Sequence, residues 1–176
     1  MIAMIIRAST SADIAAAQAV YAHHVRTGTA SFELEPPSLE EMARRRLALT
    51  DKGLPWLVAE RDGRLLGYAY AGPYRTRPAY DWTLENSIYI APDAHGQGIG
   101  KALLTRLIAD CTALGYRQMV AVIGDSANAG SVGLHRSCGF HHAGVLQAVG
   151  WKFGRWIDSV LMQRSLGDGA NEPIKG

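Results

Sequence analysis

The stretch from Trp82 to Leu114 constrains the fold more than any other, because three local patterns follow one another in it. Thr83–Ile90 alternates and contains β-branched and aromatic side chains, which predicts a strand. Residues 91 to 97 carry the residue types of a turn. From Ile99 onward, apolar residues recur at helical spacing, which predicts a helix that packs by one face and ends at Gly115.

The junction between this strand and this helix is predicted to bind an anion. A strand, a glycine-containing turn and a helix leave several free backbone N–H groups at the positive end of the helix dipole. Gly96, Gly98 and Gly100 let phosphate oxygens approach the main chain and tolerate positive φ, and Lys101 adds a cation at the rim. The spacing matches neither G-x-x-x-x-G-K-[ST] nor G-x-G-x-x-G, which excludes two familiar nucleotide loops.

Length and charge narrow the class of protein. The 176 residues suit one domain, which we place at residues 1–166, followed by a flexible tail at residues 167–176. The formal charge is +2 and there is no long basic run, so nucleic acid is not an expected partner. The apolar opening reaches Arg7 too soon for a signal peptide or a membrane span, and we expect a cytoplasmic protein without membrane contact.

The cysteines and histidines indicate neither a disulfide framework nor a metal site. Cys111 and Cys138 lie in predicted helices and are expected to be small buried hydrophobes. The pairs His23-His24 and His141-His142 consist of adjacent residues, whose side chains diverge on a helix and point to opposite faces on a strand. We therefore expect no metal.

The rest of the chain supplies further strands and helices around the central stretch. A capping box at Ser38 and Glu41 predicts a helix to about Thr50, and Asp62-Gly63 is a strong hairpin signal. The other predicted elements are a strand Ile2–Arg7, a helix from the N-cap Ser11 to about Arg26, strands Trp56–Glu60, Arg64–Gly72 and Gln118–Ile123, a helix Asn128–Cys138, and a terminal pair Phe140–Ala148 and Trp156–Met162. The order β-α-α-β-β-β-α-β-α-β-β predicts an α/β fold with a mixed sheet and helices on both sides.

The six residues from His95 to Gly100 resemble the acyl-CoA loop of the GCN5-related N-acetyltransferases, R/Q-x-x-G-x-G/A, although His95 stands where Arg or Gln is usual. The segments WLVAE, YAGPYRTRPAYDW, VAVIG and SVGLHRSCGF resemble the phosphinothricin, methionine sulfoximine and methionine sulfone N-acetyltransferases of that superfamily. The similarity runs from about Ile5 to Gln163, and the predicted order of elements is also the order of that fold.

The resemblance implies acetyl-CoA as a co-substrate. The strand before the glycine loop can hold the amides of pantetheine by β-type pairing where it splays from the next strand, often with a bulge, and an N–H there can stabilise an oxyanion. The residues that the resemblance assigns to acetyl-CoA are Ile88, Tyr89, Ile90, His95, Gly96, Gln97, Gly98, Ile99, Gly100, Lys101 and Asn128.

Two residues are candidates for proton transfer. Glu85 is an acid in the middle of a strand, and if it points into a cleft it can accept the proton of an attacking ammonium; the alternative is a solvent-facing strand residue. The family resemblance makes Glu85 the general base. It also places His135 where many acetyltransferases have the tyrosine that protonates the CoA thiolate, and the alternative for His135 is packing on a helix surface.

The connection before the central strand contains the candidate substrate residues. Arg75 and Arg77 suit bidentate binding of carboxylate, phosphinate or sulfonyl oxygens. Two positions depart from the relatives: Arg75 stands where phosphinothricin enzymes commonly have Lys, and Asn86 stands where sulfoximine enzymes often have His. The predicted pocket consists of Phe32, Tyr74, Arg75, Thr76, Arg77, Tyr80, Glu85, Asn86 and Ser87.

The expected function is direct acetyl transfer to the amino group of a small amino acid or analogue, since no activated acyl-accepting nucleophile is evident. One alternative is another amine, such as a protein N-terminus, a polyamine or an aminoglycoside, although Arg75 and Arg77 disfavour polycations. The other is an acyl-CoA-binding regulator without catalysis. Because relatives are often dimers, we expect a homodimer, with Gly150–Asp158 as a candidate contact.

Overall fold

The computed structural model describes residues 3–174, and its elements follow the predicted order. The strands are β1 Ile5–Ala8, β2 Trp56–Arg61, β3 Arg64–Pro73, β4 Thr83–Ile90, β5 Gln118–Gly124, β6 His141–Lys152 and β7 Arg155–Ser165. The helices are α1 Ile14–Thr27, α2 Leu39–Thr50, α3 Ile99–Ala113 and α4 Ala129–Ser137. The predicted mixed α/β fold is confirmed; Ile2, where the first strand was predicted to begin, lies outside the described residues.

The seven strands form one sheet in the order β1-β2-β3-β4-β5-β7-β6. All neighbours are antiparallel except β4 and β5, which run parallel. Pairing between β4 and β5 runs from Thr83↔Gln118 to Asn86↔Ala121 and stops there, although both strands continue. The two strands therefore splay apart beyond Asn86, and the main chain of β4 has no strand partner on that side.

No bulge accompanies the splay on the other side of β4. Its pairing with β3 keeps one register from Gly67↔Ile90 to Pro73↔Leu84. The nearest irregularity lies between β2 and β3, at Ala59 and Glu60. The splay therefore follows from the end of the β4–β5 pairing, without a bulge in the β3–β4 pair.

Helices cover both faces of the sheet. Because side chains alternate along a strand, Glu85, Ser87 and Tyr89 share one face of β4. That face lies toward α1, since the rings of Tyr21 and Tyr89 are 4.8 Å apart. The opposite face carries Leu84, Asn86 and Ile88, and it packs against α3 and α4.

The helix starts are partly as predicted. Ser11 does not cap α1; it lies in a short 3-10 turn, and Asp13 Oδ2 accepts the N–H of Thr10 at 2.6 Å. The guanidinium of Arg7 also pairs with Asp13 at 2.8 Å, and it lowers the pKa of that carboxyl to about 2. At α2 the predicted N-cap is confirmed, since Ser38 Oγ accepts the N–H of Glu41 at 3.1 Å.

The C-terminal hairpin is longer than predicted. Its turn lies at Phe153 and Gly154, so β6 extends to Lys152 and not only to Ala148. The prediction stopped early because the register shifts between Leu146 and Gly150, and Ala148 there has a φ of 52°. After β7 the chain returns along the sheet, where the guanidinium of Arg117 donates to the carbonyl of Gly169 at 3.3 Å. The flexibility of residues 167–176 stays a prediction.

Two further findings concern the core and the helices. Cys111 and Cys138 are free and buried, as expected.

Within residues 3–174, none of the helices has the length and apolar character needed to cross a lipid bilayer.

Candidate active site

The glycines before α3 have two different roles. Gly96 and Gly98 have φ values of 77° and 75°, and a Cβ at either position would meet no atom within 4 Å. Their backbone conformation favours glycine, and the space beside them is open. Gly100 is helical, and a Cβ there would lie 3.1 Å from Leu134 Cδ2. Gly100 therefore serves the close approach of α3 to α4.

A cleft of about 510 Å³ lies beside the N-terminus of α3. The amide of Ala102 bonds to the carbonyl of Gly98 at 3.1 Å, and the amides of residues 99 to 101 precede this first helical bond. Ten of the eleven residues predicted to bind acetyl-CoA line the cleft: Ile88, Tyr89, Ile90, His95, Gly96, Gly98, Ile99, Gly100, Lys101 and Asn128. The eleventh, Gln97, turns away, and its Oε1 accepts from Arg61 at 3.1 Å.

A narrower cavity continues the cleft into the splay between β4 and β5. Both cavities are lined by Ile88 and Tyr89 of β4 and by Asn128 and Ser131 at the start of α4. The two cavities therefore adjoin along the unpaired main chain of β4, and we refer to them together as the channel, whose inner end is lined by Asn86 and Ser87. A chain of amides could pair with this strand in place of β5.

His24 is a residue of the cleft that the sequence did not reveal. Its Nε2 lies 2.8 Å from the carbonyl oxygen of Ile90, to which it donates a hydrogen bond. Burial lowers the pKa of the His24 imidazole. The ring of His95 lies beside it, with 6.2 Å between the two ring centroids. The helical spacing of α1 gives no signal that this face meets the end of β4.

Glu85 lies one residue before the last paired position of β4 and β5. Its neighbours across the sheet are Gly72 of β3 and Val120 of β5. Nowhere in residues 3–174 does the Glu85 carboxylate find an ion-pair partner or a side-chain donor, and its burial raises the pKa of the carboxyl. A carboxylate with a raised pKa and free oxygens has the properties of a general base near neutral pH.

The predicted pocket residue Phe32 lies in a loop that crosses the ends of β5 and β6. Its ring packs directly on Gly150, where a Cβ would lie 2.5 Å from Phe32 Cε2. The loop is fixed at Ser31, whose hydroxyl is 2.8 Å from the Tyr21 hydroxyl and whose carbonyl accepts from Lys152 Nζ at 2.8 Å. Lys152 is only 4% exposed, and neither it nor Tyr21 was predicted to belong to the site.

The predicted substrate arginines lie in the exposed connection between β3 and β4. Arg75 Cζ lies 5.1 Å from the ring centroid of Tyr74 and 5.9 Å from that of Tyr80, so the two tyrosines support the guanidinium. Among the described residues, neither Arg75 nor Arg77 forms an ion pair with a carboxylate. Both cations, together with Thr76, are accessible to a ligand.

Asn86 and His135 lie together on the face of the sheet opposite to Glu85. His135 Nε2 is 2.9 Å from Asn86 Oδ1, and Asn86 Nδ2 donates to the carbonyl of Val120 at 3.2 Å. The other ring nitrogen of His135 is 2.8 Å from the carbonyl oxygen of Ser131. The predicted substrate residue Asn86 therefore lies on the other face of the sheet from Glu85. Both nitrogens of His135 lie within hydrogen-bond distance of a protein oxygen, and a neutral imidazole donates to one of the two.

No three potential ligands among His, Cys, Asp and Glu come together as a metal site in the part of the chain from residue 3 to residue 174. Cys111 and Cys138 are both buried, and burial raises the pKa of the Cys111 thiol to about 12. A thiol with so high a pKa is a poor nucleophile at neutral pH.

Comparison with known proteins gives consistent matches over most of the chain. Residues 6–161 match the family model of the acetyltransferase (GNAT) domain. Phosphinothricin N-acetyltransferase of Alcaligenes faecalis is 62% identical over 157 residues, covering 89% of this chain and 80% of that protein. The L-methionine sulfoximine/L-methionine sulfone acetyltransferase of Pseudomonas paraeruginosa is 40% identical over 162 residues, covering 92% and 94%.

A solved structure extends the similarity to three dimensions. It is the crystal structure of a GNAT superfamily phosphinothricin acetyltransferase from Sinorhizobium meliloti in complex with acetyl-CoA. The TM-score is 0.94 at 45% identity, and the match covers 98% of this chain and 94% of that one. The resemblance predicted from the sequence is confirmed: the chain belongs to the GNAT family and is an acetyl-CoA-dependent N-acetyltransferase.

Proposed function

We propose that the acceptor is the α-amino group of a small amino acid or analogue, with phosphinothricin, methionine sulfoximine and methionine sulfone as the leading candidates. The relatives that act on these compounds are 62% and 40% identical to this chain. The observation that carries the proposal is the Glu85 carboxylate, which has no ion-pair partner within residues 3–174 and directly precedes on β4 the residues Asn86 and Ser87 that line the inner end of the channel. The exposed guanidinium of Arg75 lies in the neighbouring connection.

Acetyl-CoA binding is proposed to use main-chain groups of two elements. The amides at the N-terminus of α3 suit the pyrophosphate, and the unpaired backbone of residues 88 to 90 suits pantetheine. Asn128 caps α4 with its Oδ1, which accepts the N–H of Ser131 at 3.1 Å. The amide nitrogen of Asn128 can therefore donate to a ligand in the cleft.

Transfer is proposed to be direct, in a ternary complex. Glu85 accepts a proton from the acceptor ammonium, and the neutral amine then attacks the thioester carbonyl. A backbone N–H of β4 beyond Asn86 stabilises the tetrahedral oxyanion, which collapses to the amide as the C–S bond breaks. The nitrogen loses a second proton as the amide forms, and the departing CoA thiolate takes up one proton, so the transfer step is balanced.

His135 was predicted to donate that last proton. It borders the inner channel, but its ring nitrogens lie 2.9 Å from Asn86 Oδ1 and 2.8 Å from the Ser131 carbonyl oxygen, and the single N–H of a neutral imidazole is directed to one of these two acceptors. We propose that His135 instead holds Asn86 at the point where β4 and β5 separate. The contacts support this positioning role because Asn86 bridges the last paired position through the Val120 carbonyl.

We also propose that the protein is a homodimer through the edge strand β6 and its turn. Several large apolar side chains are exposed on β6, on its turn and at the start of β7: Val149 by 52%, Trp151 by 56%, Phe153 by 58% and Trp156 by 63%. So many exposed apolar groups on an edge strand favour burial against a second surface. Sedimentation equilibrium is expected to show dimers for the wild type and monomers for Trp156→Glu; a monomeric wild type would contradict this.

The acceptor class is tested by CoA thiol release with acetyl-CoA and a panel of amines. The panel contains phosphinothricin, methionine sulfone, a polyamine and an N-terminal peptide. We expect release with the amino acids, and we expect Arg75→Ala to raise their KM about tenfold or more. Arg106→Ala is the matched control, because Arg106 is exposed and pairs within α3 with Asp110.

Two results would contradict the proposal. Faster release with the polyamine or the peptide would assign a different amine acceptor. No release with any amine, together with measurable acetyl-CoA binding, would indicate the acyl-CoA-binding regulator.

A further inference from the structure

Asp125 is a buried acid that the proposed mechanism does not use, and it directly follows Gly124, which lines the channel. Its φ of 75° is left-handed, a conformation that aspartate tolerates better than most residues with a side chain. Arg155, the first residue of β7, donates to Asp125 Oδ2 at 2.5 Å. This guanidinium lowers the pKa of Asp125, so the carboxyl is ionised at neutral pH and its oxygens only accept hydrogen bonds.

One oxygen of Asp125 ties down the loop at residues 29 to 33. Thr29 Oγ1 donates to Asp125 Oδ2 at 2.9 Å. The next residue of the loop, Ala30, lines both cavities of the channel. Because Thr29 and Ala30 are joined by one peptide bond, the position of this wall of the channel depends on the hydrogen bond between Thr29 and Asp125.

The other oxygen of Asp125 shapes the turn that leads into α4. Asp125 Oδ1 accepts the N–H of Ala127 at 3.0 Å, and the carbonyl of Asp125 accepts the N–H of Asn128 at 3.0 Å. Aspartate commonly stabilises a turn in this way, by bonding to the backbone two residues further on. The turn places Asn128 and, through its cap, Ser131, and both residues line the two cavities.

Asp125 is itself fixed to the central sheet. Its N–H donates to the carbonyl of Asp158 in β7 at 2.9 Å, and Ser126 Oγ donates to the Asp158 carboxylate at 2.8 Å. One carboxylate thus joins two walls of the channel that are far apart in the sequence, and β7 holds that carboxylate in place.

We infer that Asp125 is a positioning residue for acetyl-CoA: it sets the separation between Ala30 and the start of α4, and so the width of the channel for pantetheine. This inference rests on the proposed binding of acetyl-CoA in the channel. Asp125 is not among the described residues that line either cavity, so it acts through Thr29 and Asn128.

The first experiment removes the link between Asp125 and the loop. Thr29→Val keeps the shape of the side chain without the hydroxyl, and we expect the KM for acetyl-CoA to rise about three- to tenfold, the contribution of one hydrogen bond. We expect kcat to stay within about twofold, because Glu85 is untouched. Thr29→Ser keeps the hydroxyl and is expected to retain the KM of the wild type, whereas a role in packing alone would make serine the more harmful change.

Thr27→Val is the matched control for the loss of a threonine hydroxyl. Thr27 Oγ1 donates to the carbonyl of His23 within α1 at 2.8 Å, away from Asp125. This variant is expected to leave the KM for acetyl-CoA unchanged.

The second experiment tests whether Thr29 and Asp125 act through the same bond. Asn tolerates left-handed backbone as Asp does, but its single oxygen cannot serve both Thr29 and Ala127, and its amide turns a donor toward Arg155. Asp125→Asn is therefore expected to raise the KM for acetyl-CoA at least as much as Thr29→Val. Because both changes break one bond, the double variant is expected to lie within about twofold of Asp125→Asn.

A variant of Ala30 separates this inference from the proposed function. Ala30→Leu adds volume inside the channel and is expected to raise the KM for acetyl-CoA several-fold or more. An unchanged KM in Ala30→Leu would overturn the proposed channel and the inference together. A raised KM in Ala30→Leu would overturn the inference alone if Thr29→Val leaves the KM unchanged, if Thr29→Val and Thr29→Ser change it equally, or if the effects multiply in the double variant.

Discussion

The substitution Gly124→Ala tests whether the contact between β5 and the loop at residues 29 to 33 shapes the acceptor side of the site. A methyl group at residue 124 would overlap the carbonyl oxygen of Thr29 and lie 3.0 Å from Cε1 of Phe32. Because the overlapped oxygen belongs to the main chain, the loop itself must shift. We expect the substitution to lower the free energy of unfolding by roughly 1 to 3 kcal/mol, the usual cost of overpacking.

Thermal unfolding and steady-state kinetics measure the two consequences. In a chain of 176 residues, the expected cost lowers the melting temperature by roughly 2 to 12 °C. The displaced loop also carries Phe32, which packs on Gly150 at the predicted amino acid pocket. The KM for the amino acid is therefore expected to rise by roughly threefold or more.

Gly133→Ala is the matched control, since it adds the same methyl group at an open position. A Cβ at Gly133 would meet no atom within 4 Å, and the residue lies inside α4. Alanine is the better helix former, so the melting temperature is expected to rise by roughly 1 to 4 °C. A melting temperature of Gly124→Ala within about 1 °C of the wild type would refute the packing argument.

Three further predictions concern buried polar groups. In His135→Gln, we expect a higher KM for acetyl-CoA and an unchanged pH dependence of kcat. If the variant instead loses a titration step from its pH profile of kcat, His135 acts as the proton donor. In Lys152→Met, the Ser31 carbonyl loses its donor, so we expect the KM for the amino acid to rise. The free energy of unfolding is expected to change by less than about 1 kcal/mol. An unchanged KM would contradict a role of Lys152 in the site. Arg7 lowers the pKa of Asp13 from 3.8 to about 2, so this ion pair stabilises the fold above about pH 4 and loses its effect as the pH falls toward 2. The difference in unfolding free energy between the wild type and Asp13→Asn should therefore shrink over that range, and a constant difference would contradict the assignment.

Much of the fold was predictable because local chemistry and tertiary structure agree. The alternation of Thr83–Ile90 gave both ends of β4 correctly, and the hairpin at Asp62-Gly63 formed as expected. The ends of β6 were missed because a register shift interrupts its alternation. Ser11 was predicted to cap α1, but the carboxylate of Asp13 accepts the N–H of Thr10 before the helix. That carboxylate also pairs with Arg7 of β1, a contact that the local sequence does not indicate.

The site was predictable where its residues follow one another along the chain. The glycine loop and β4 form a continuous segment, so one motif locates most of the residues that line the cleft beside α3. His24 and Lys152 were not predicted, because His24 reaches the cleft and Lys152 reaches the Phe32 loop from distant elements through packing. Asn86 lies on the other face of the sheet from Glu85 and Ser87, because neighbouring residues of a strand point to opposite faces; its role in substrate binding stays a prediction.

The pH dependence of kcat/KM for Glu85→Gln tests most directly whether the Glu85 carboxylate is the general base. At about pH 7, the loss of a base is expected to lower kcat/KM by roughly 10² to 10⁴ relative to the wild type. At alkaline pH, the acceptor amine loses its proton without help, so the deficit is expected to shrink. A variant that equals the wild type at pH 7, or a deficit that stays constant with pH, would contradict the account.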